Sequence, residues 1–328
     1  MVKVGVIGVG HLGQHHARIF REIANCQLVG IYDQNVARAA EISERYSVKA
    51  YPSYESLLDD IEAIDIAVTT THHYRLAKIA LQKGKHLFIE KPITSNFEEA
   101  EELVNLAKET NLKIQVGHIE RFNPIVLKIA DEINDPMFIE SHRLAPFTPR
   151  GSDVSVVLDL MIHDIDLILS FVNSNLRDIR ASGVCILTPN IDIANARLEF
   201  DNGAIANVTA SRVSLKRERK IRFFQKNAYL SLDFQNKKVT VLKKSKDLQK
   251  ILPEILLGNR PLNTDELVDL REIDASDITK DALTLELESF VEAIANDKKP
   301  AVDGEAGMKA LKIALSIMDK IQIREMKE

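Results

Sequence analysis

Three polar residues interrupt an otherwise apolar helical segment, Ser155–Val172: Asp159, His163 and Asp166. At about 100° per residue, these positions share one face of a helix. Titratable groups need partners in an apolar core, so side chains at this spacing should line a cleft. An acid/base pair is the favoured interpretation. A hydrogen-bonded core network and a metal site are the alternatives, but no second cluster of metal ligands accompanies these residues, and we expect no metal.

A second candidate is the sequence Glu90-Lys91-Pro92, which ends the fifth predicted strand. Ligands bind at the carboxyl ends of strands in open α/β sheets. A lysine there could donate a hydrogen bond to a reacting oxygen and stabilise developing negative charge. A cis bond before Pro92 would aim its amine into the cleft. A solvated surface charge is the alternative interpretation of Lys91.

The first strand runs into a G-x-G-x-x-G motif made of Gly8, Gly10 and Gly13, with His11 and Leu12 between the last two glycines. The first glycine permits a tight turn, the second lets a pyrophosphate approach the backbone, and the third lets helix and strand pack closely. The alternative interpretation of this motif is a tight glycine turn that binds no ligand. The preceding strand and the following helix favour the dinucleotide interpretation.

Asp33 ends the second predicted strand. It follows Gly13 by about 20 residues, which is the sequence separation expected in a dinucleotide site. Its carboxylate would accept hydrogen bonds from the adenosine ribose hydroxyls and repel a 2′-phosphate. Gln34 beside it is not the basic residue that an NADP site usually has. The sequence therefore predicts NAD as the cofactor.

Short β-branched segments alternate with helical segments over the first 117 residues, which is typical of a doubly wound parallel sheet. Six strands are predicted: Lys3–Ile7, Gln27–Tyr32, Lys49–Tyr51, Ile64–Val68, His86–Ile89 and Lys113–Val116. We expect an N-terminal Rossmann domain over residues 1–118, with Gly84 ending a helix over Tyr74–Lys83 and Asn96 capping the next one.

Residues 119–328 are expected to form a second α/β domain with a large open, mostly antiparallel sheet. Asn202-Gly203 predicts a hairpin with a type I′ turn. The segment Pro253–Ser276 reads as irregular. Two final helices, Thr279–Ala295 and Glu305–Met326, could pack back on the first domain.

Composition excludes several broad classes. The 328 residues are 45% hydrophobic and 28% charged, so the chain should be globular. A net charge of −5 gives no general attraction for nucleic acid or for a membrane surface. Cys26 and Cys185 are too few for a disulfide framework, and the first apolar segment is too short to span a membrane. We therefore expect a cytoplasmic protein.

Four motifs in order resemble the Gfo/Idh/MocA oxidoreductases. They are the glycine turn, Glu90-Lys91-Pro92, Gly117-x-x-x-Arg121-Phe122-x-Pro124 and Asp159-x-x-x-His163-x-x-Asp166. The resemblance implies NAD(P)-dependent oxidation or reduction of sugar and cyclitol carbons, a homodimer or homotetramer, and Lys91, Asp159 and His163 as the catalytic set. Thr70, Thr71, His73 and Glu90 would lie near the nicotinamide and its ribose, with Lys91. Thr69 stands where the family often has proline.

Arginines near the start of the second domain indicate an anionic substrate. Arg121, Arg143 and Arg150 could contact a diphosphate, with Asp166 as a further substrate residue. The segment from Gly117 to Pro124, with Pro149-Arg150, is similar to family members that oxidise the 3-hydroxyl of UDP-N-acetylglucosamine. We therefore expect a UDP-N-acetylamino sugar as substrate and a 3-keto sugar as product. A dehydrogenase of a free sugar or cyclitol, and a non-catalytic NAD(H) sensor, are the alternatives.

Overall fold

The structure, a computed structural model, describes residues 1–149, 151 and 153–321. The chain folds into two compact units. The first comprises Met1–Phe122 and Lys280–Leu315, and the second comprises Asn123–Thr279 with the chain from Ser316 onward. Each unit is built around its own sheet. In the described residues, no helix combines the length and apolar character needed to cross a membrane.

The first unit contains a five-stranded parallel sheet in the order β2-β1-β3-β4-β5. Its strands are β1 (Val2–Ile7), β2 (Cys26–Tyr32), β3 (Ala63–Ile66), β4 (His86–Glu90) and β5 (Ile114–Gly117). Its first helices are α1 (Gly13–Glu22), α2 (Val36–Tyr46), α3 (Tyr54–Asp60), α4 (His73–Gln82) and α5 (Phe97–Glu109). The order of strands changes direction beside β1, which places the glycine turn at a topological switch point.

The parallel sheet was predicted with six strands, and the third of them, Lys49–Tyr51, is wrong. Residues 49–51 form only one isolated bridge, between Ala50 and Ile31. The local helix signals are confirmed. Gly84 follows α4 with a φ of +73°, and Asn96 Oδ1 accepts a hydrogen bond from the Glu99 amide at 2.9 Å.

The second unit contains an eight-stranded sheet in the order β13-β12-β11-β10-β6-β9-β8-β7. Its strands are β6 (Phe138–Leu144), β7 (Leu176–Val184), β8 (Ile193–Phe200), β9 (Ile205–Ser211), β10 (Glu218–Gln225), β11 (Ala228–Asp233), β12 (Lys238–Lys244) and β13 (Val268–Asp274). Every neighbouring pair is antiparallel except β6 and β9. The predicted mostly antiparallel sheet is thus confirmed.

Burial alternates along the strands of this sheet, so one of its faces is covered. The second unit also contains helical segments. They are α6 (Pro124–Ile129), a π-helical turn (Val157–Met161), α7 (Ile162–Phe171), α8 (Leu248–Leu256) and α9 (Thr264–Leu267). The ring of Phe171 on α7 packs edge-on against Phe223 on β10 at 5.3 Å between centroids. The expectation of an irregular Pro253–Ser276 is wrong, since that segment includes the end of α8, helix α9 and the edge strand β13.

Two helices follow β13 along the chain. Helix α10 (Ala282–Ala295) begins three residues later than expected, after Asp281, whose carboxylate accepts a hydrogen bond from the Thr284 amide at 2.8 Å. Phe290 on α10 packs against Phe88 of the first sheet at 5.7 Å. Helix α11 (Gly304–Lys320) follows, and the predicted end at Met326 lies outside the described residues.

The hairpin between β8 and β9 lies at the expected place but has a different turn. Only Gly203 has a positive φ, +86°. The Gly203 amide donates to Phe200 O at 3.0 Å, and the Phe200 amide donates to Ala204 O at 2.9 Å. This pattern describes a three-residue loop closed by a left-handed glycine, rather than the type I′ turn that Asn-Gly predicts.

Replacing Gly203 with alanine should lower the free energy of unfolding by about 1–2 kcal/mol, because an L side chain is disfavoured at this φ. Space is not the cause, since a Cβ there meets nothing within 4 Å. Chemical denaturation of both proteins measures the difference. Gly203→Asn is the control and should recover most of the loss, because asparagine tolerates the left-handed region. Equal stability of the alanine variant and the parent protein would contradict this account.

Candidate functional site

The three motif glycines meet different constraints. At Gly13 a Cβ would lie 1.9 Å from Gly8 O, and at Gly8 one would lie 2.6 Å from Val68 Cγ1, with φ at +86°. Both glycines are therefore required by the fold itself. A Cβ on Gly10 would meet nothing within 4 Å, and its φ is not left-handed. Gly10 leaves open space at the amino end of α1, where a helix terminus attracts an anion, so the turn fits a dinucleotide pyrophosphate.

Asp33 lies directly beside this turn. Its carboxylate accepts hydrogen bonds from the Val9 amide at 2.9 Å and the Asn35 amide at 2.8 Å. The two bonds fix the acid at the end of β2, where a ribose hydroxyl would be recognised. His11 and Leu12 are exposed at the start of α1, which is compatible with the cofactor contact expected of them.

Sequence reasoning missed Arg38, which supports the same turn from helix α2. Its Nε donates to Val9 O at 2.9 Å, and its Nη1 donates to Glu41 at 2.7 Å. The available signal was a basic residue in the first turn of the helix that follows Asp33. Because Arg38 binds a backbone oxygen of the turn, it helps to fix the shape of the phosphate-binding segment.

The loop after β3 is linked to the loop after β4 by a buried imidazole. His73 is fully buried, with Nδ1 3.0 Å from Pro92 O and Nε2 3.1 Å from Val68 O. Burial lowers the pKa of His73, although the backbone oxygens oppose this effect. In this geometry His73 holds the two loops together, in addition to the cofactor contact that we predict for it. Thr70 and Thr71 lie in a 3₁₀ turn, Thr70–His72, in the first of these loops.

Glu90 and Lys91 lie at the carboxyl end of β4, before a cis Lys91–Pro92 bond. The Lys91 amide donates to Glu90 Oε2 at 3.2 Å. A Cβ on Gly117 of the neighbouring strand would lie 3.1 Å from the same oxygen. The carboxylate is therefore held between its own backbone and β5.

A second buried imidazole contacts Glu90 from helix α1. His16 Nδ1 lies 2.8 Å from Asp65 Oδ2, and Nε2 lies 3.3 Å from Glu90 Oε1. The side chains of His16 and Asp65 are fully buried, and that of Glu90 is 14% exposed. We call these three residues the buried triad. Sequence reasoning missed His16 and Asp65, although an acid inside the apolar strand Ala63–Ile66 needs a buried partner.

The pKa values of all three triad members are shifted by burial and by their mutual contacts. Burial disfavours the imidazolium of His16, but the charge and hydrogen bond of Asp65, with those of Glu90, hold its pKa well above the ordinary value. Burial raises the pKa of Asp65, and the charge of His16 opposes this rise without reversing it. Burial would also raise the pKa of Glu90, but His16 and then Lys91 lower it below its usual range. Glu90 is accordingly an ionised carboxylate at neutral pH.

The polar segment of the second unit departs from a regular α-helix. Asp159 lies in the π-helical turn Val157–Met161, whereas His163 and Asp166 lie in α7. Assuming a constant rotation per residue was therefore wrong, because i→i+5 bonding widens the turn. Asp159 and His163 are partly exposed, and Asp166 is fully buried. A π-helical turn is frequent at functional sites.

Arg143 forms a buried ion pair with Asp164, the acid next to His163. Its Nε and Nη2 donate to the two carboxylate oxygens of Asp164, both at 2.8 Å. Their side chains are 7% and 3% exposed. This bidentate pair favours a structural role for Arg143 over the substrate contact expected from the sequence.

The residues before the π-helical turn lie against Asp159. A Cβ on Gly151, whose φ is +74°, would lie 2.7 Å from Asp159 Oδ2. Arg212 at the end of β9 donates to Gly151 O, to Val154 O and, at 2.9 Å, to Ile191 O. Arg212 thus supports the segment that contacts Asp159, a role that no local sequence pattern indicates.

Two further predicted substrate residues are Arg150 and Arg121. Arg150 lies outside the described residues. Arg121 is partly exposed in the 3₁₀ turn Ile119–Phe122 of the first unit, whereas Arg143 and Asp166 belong to the second unit.

Sequence comparison identifies the family. A profile described as an oxidoreductase family with an NAD-binding Rossmann fold matches residues 2–118, and a GFO/IDH/MocA C-terminal domain profile matches residues 132–231. The chain belongs to the Gfo/Idh/MocA oxidoreductases. The predicted enzyme class, fold and NAD cofactor are therefore confirmed.

Several members of the Gfo/Idh/MocA family are similar along most of their length. The UDP-N-acetylglucosamine 3-dehydrogenase of Acidithiobacillus ferrooxidans is 38% identical over 317 residues, covering 96% of both chains. Its crystal structure superimposes with a TM-score of 0.87 at 36% identity, covering 98% of this chain and 97% of that one. The myo-inositol 2-dehydrogenase of Thermotoga maritima is 23% identical, covering 94% of this chain and 93% of that one.

The glycine turn can be tested by separating its two constraints. Gly10→Ala should leave the melting temperature of the free protein unchanged but weaken NAD binding at least about tenfold, because the new methyl group occupies the space over the turn. Gly13→Ala should lower the free energy of unfolding by about 3 kcal/mol, because its Cβ overlaps a backbone oxygen. Calorimetric titration with NAD and thermal melting measure the two effects. Unchanged NAD affinity in Gly10→Ala would refute the assigned role.

The role of the Arg143–Asp164 pair can also be tested. Asp164→Ala leaves a buried guanidinium without this carboxylate and should reduce stability by about 3–5 kcal/mol. The double variant Arg143→Met/Asp164→Leu removes both charges and should recover most of that loss. Denaturant unfolding measures both variants. If the double variant were no more stable than Asp164→Ala, the pair would not be the source of the loss.

Proposed function

We propose that this enzyme is an NAD-dependent 3-dehydrogenase that oxidises a UDP-N-acetylamino sugar to its 3-keto form. The observation that carries the proposal is the similarity, over 96% of both chains, to a UDP-N-acetylglucosamine 3-dehydrogenase. It extends through both domains, so the substrate half of the chain takes part in it as well as the cofactor half.

The residues of the first unit account for the cofactor. The open space over Gly10 accommodates the pyrophosphate, and Asp33 accepts hydrogen bonds from the adenosine ribose while disfavouring a 2′-phosphate. Thr70, Thr71, Glu90 and Lys91 belong to the nicotinamide side. Bound NAD⁺ supplies the hydride acceptor.

Oxidation of a secondary alcohol also requires removal of the hydroxyl proton. We assign that step to His163, which is partly exposed in the described chain. Lys91 donates a hydrogen bond to the reacting oxygen and stabilises negative charge as it develops. Asp159 orients these groups, and the contact between Gly151 and its carboxylate supports a fixed position for it.

The anionic part of the substrate needs cationic side chains to bind its diphosphate. Arg143 is held by Asp164 in the interior. We assign the diphosphate contact to Arg121 and Arg150, and we keep Asp166 as a further substrate residue. Residues 1–118 would bind NAD, and residues 119–328 would bind the sugar and form the contacts of a homodimer or homotetramer. Cys26 and Cys185 are free, which supports a reducing cytoplasm as the site of the reaction.

A cyclitol or free sugar is the second candidate substrate. It is favoured by a scyllo-inositol 2-dehydrogenase of Bacillus subtilis that is 28% identical over 232 residues, covering 65% of this chain and 68% of that one. The lower identity and partial coverage make it the weaker candidate.

A substrate panel distinguishes these candidates. UDP-N-acetylglucosamine should reduce NAD⁺, measured as NADH absorbance, whereas myo-inositol and glucose should not. Lys91→Met should lower kcat by about 10²–10⁴-fold, because stabilisation of the reacting oxygen is lost, and its unliganded melting temperature should match that of the parent protein. Turnover of inositol or glucose without turnover of any UDP-sugar would overturn the proposal.

A further inference from the structure

The buried triad is a charged group that the proposed reaction does not use directly. His16 follows Gly13 by less than one turn of α1, Asp65 lies in the middle of β3, and Glu90 ends β4. Burying an acid and an imidazole in the interior is costly unless they are paired. An apolar pair of similar volume would fill the same space without that cost. The charge itself therefore needs an explanation.

The geometry sets the protonation state of the imidazole. Nδ1 of His16 faces the carboxylate of Asp65 at 2.8 Å, and Nε2 faces the carboxylate of Glu90 at 3.3 Å. A neutral imidazole has only one N–H group, so its other nitrogen would direct a lone pair at an anion. The imidazolium donates a hydrogen bond to Asp65 and directs its second N–H, without a hydrogen bond in the described residues, toward the Glu90 carboxylate. Asp65 Oδ1 has no hydrogen-bond partner in the described part of the chain, which makes His16 the main compensation for the Asp65 charge.

Few other charged groups influence this cluster. The ring of Phe88 contacts His16 edge-on at 5.7 Å, and Phe290 from α10 packs behind Phe88. Among the described residues, the ionisable groups with the largest influence on the triad, or most affected by it, include Lys91 beside Glu90, His73 near Asp65 and Glu90, and exposed His15 on α1. The apolar surroundings preserve the electrostatic coupling between the three triad members.

We propose that Asp65 and His16 are positioning residues that hold Glu90 ionised and fixed in orientation on the nicotinamide side of the cofactor site. Asp65 acts on Glu90 mainly through His16, which contacts both acids, and the direct repulsion between the two carboxylates opposes this effect. The ionised carboxylate then favours the positively charged ring of NAD⁺. This inference rests on the proposed function in one respect, the placement of Glu90 and Lys91 beside the nicotinamide.

The test measures NAD⁺ affinity as a function of pH by calorimetry, which needs no sugar substrate. In the parent protein Glu90 has a lowered pKa, so its charge persists to acidic pH. Asp65→Asn retains a hydrogen-bond acceptor for His16 but removes the charge, and His16→Gln removes the imidazolium. Both changes raise the pKa of Glu90, so NAD⁺ affinity should begin to fall at a pH higher by about 1 unit or more. It should recover at alkaline pH.

Two controls separate this role from a structural one. His15→Gln changes the exposed neighbour on the same helix and should give the parent profile. Glu90→Gln removes the acid itself, so adding His16→Gln to it should produce no further shift. An even loss of affinity at all pH values in Asp65→Asn and His16→Gln, or parent profiles in both, would overturn the proposal.

A separate measurement keeps this result independent of the substrate assignment. Imidazole nitrogen shifts in a histidine-labelled sample should show one ring that remains protonated above the ordinary histidine range, and its signal should be absent from His16→Gln. A neutral His16 would overturn the inference even if UDP-sugars are oxidised. If His16 is protonated and the pH profiles shift while no UDP-sugar reacts, the triad stands and the substrate proposal fails.

Discussion

The close approach of helix α1 to the end of strand β1 is the constraint on which the first unit depends. The helix can begin at Gly13 only because a hydrogen atom, rather than a methyl group, faces Gly8 O. That approach aims the helix terminus at the open space over Gly10. One turn later it brings His16 between β3 and β4, against Asp65 and Glu90. The same backbone contact therefore supports both the glycine turn and the buried triad.

Buried charges are used differently in the two units. Arg143 and Asp164 satisfy each other through two parallel hydrogen bonds, so this pair directs no charge outward. The triad contains one cation between two acids, and its last member lies at the carboxyl edge of the sheet. Only the second arrangement leaves a net charge at a ligand-binding edge. Burial alone consequently does not distinguish a structural ion pair from a functional one.

The sequence predicts best those features that depend on neighbouring residues. The glycine turn, Asp33 and the Asn96 cap are set by local backbone geometry, and the structure has each of them. The predicted strand Lys49–Tyr51 was wrong because so short a segment cannot reveal whether it finds a partner along its length. The Gly203 loop shows that even a strong local signal leaves the turn type undecided.

The missed features depend on residues distant in sequence. His16 and Asp65 are 49 positions apart, so each appears as an isolated polar residue on an apolar face. Arg212 supports a segment about 60 residues earlier, and helical periodicity does not reveal the π-helical turn at Asp159. The assignment of Lys91, Asp159 and His163 as the catalytic set remains a prediction from the family resemblance, because chemical role is not fixed by fold.

The single parallel pair in the large sheet, β6 with β9, has a consequence for how the second unit assembles. Parallel neighbours cannot be joined by a tight hairpin, and the chain between these strands contains helix α7 and the strands β7 and β8. Within the antiparallel runs β7–β9 and β10–β13, the paired residues lie closer together in the sequence. Pairing β6 with β9 closes a loop of more than 60 residues. Loop-closure entropy makes such pairing slow. The segment that contains Asp159 and His163 lies within the loop that this pairing closes, so completion of the sheet constrains the residues proposed for catalysis.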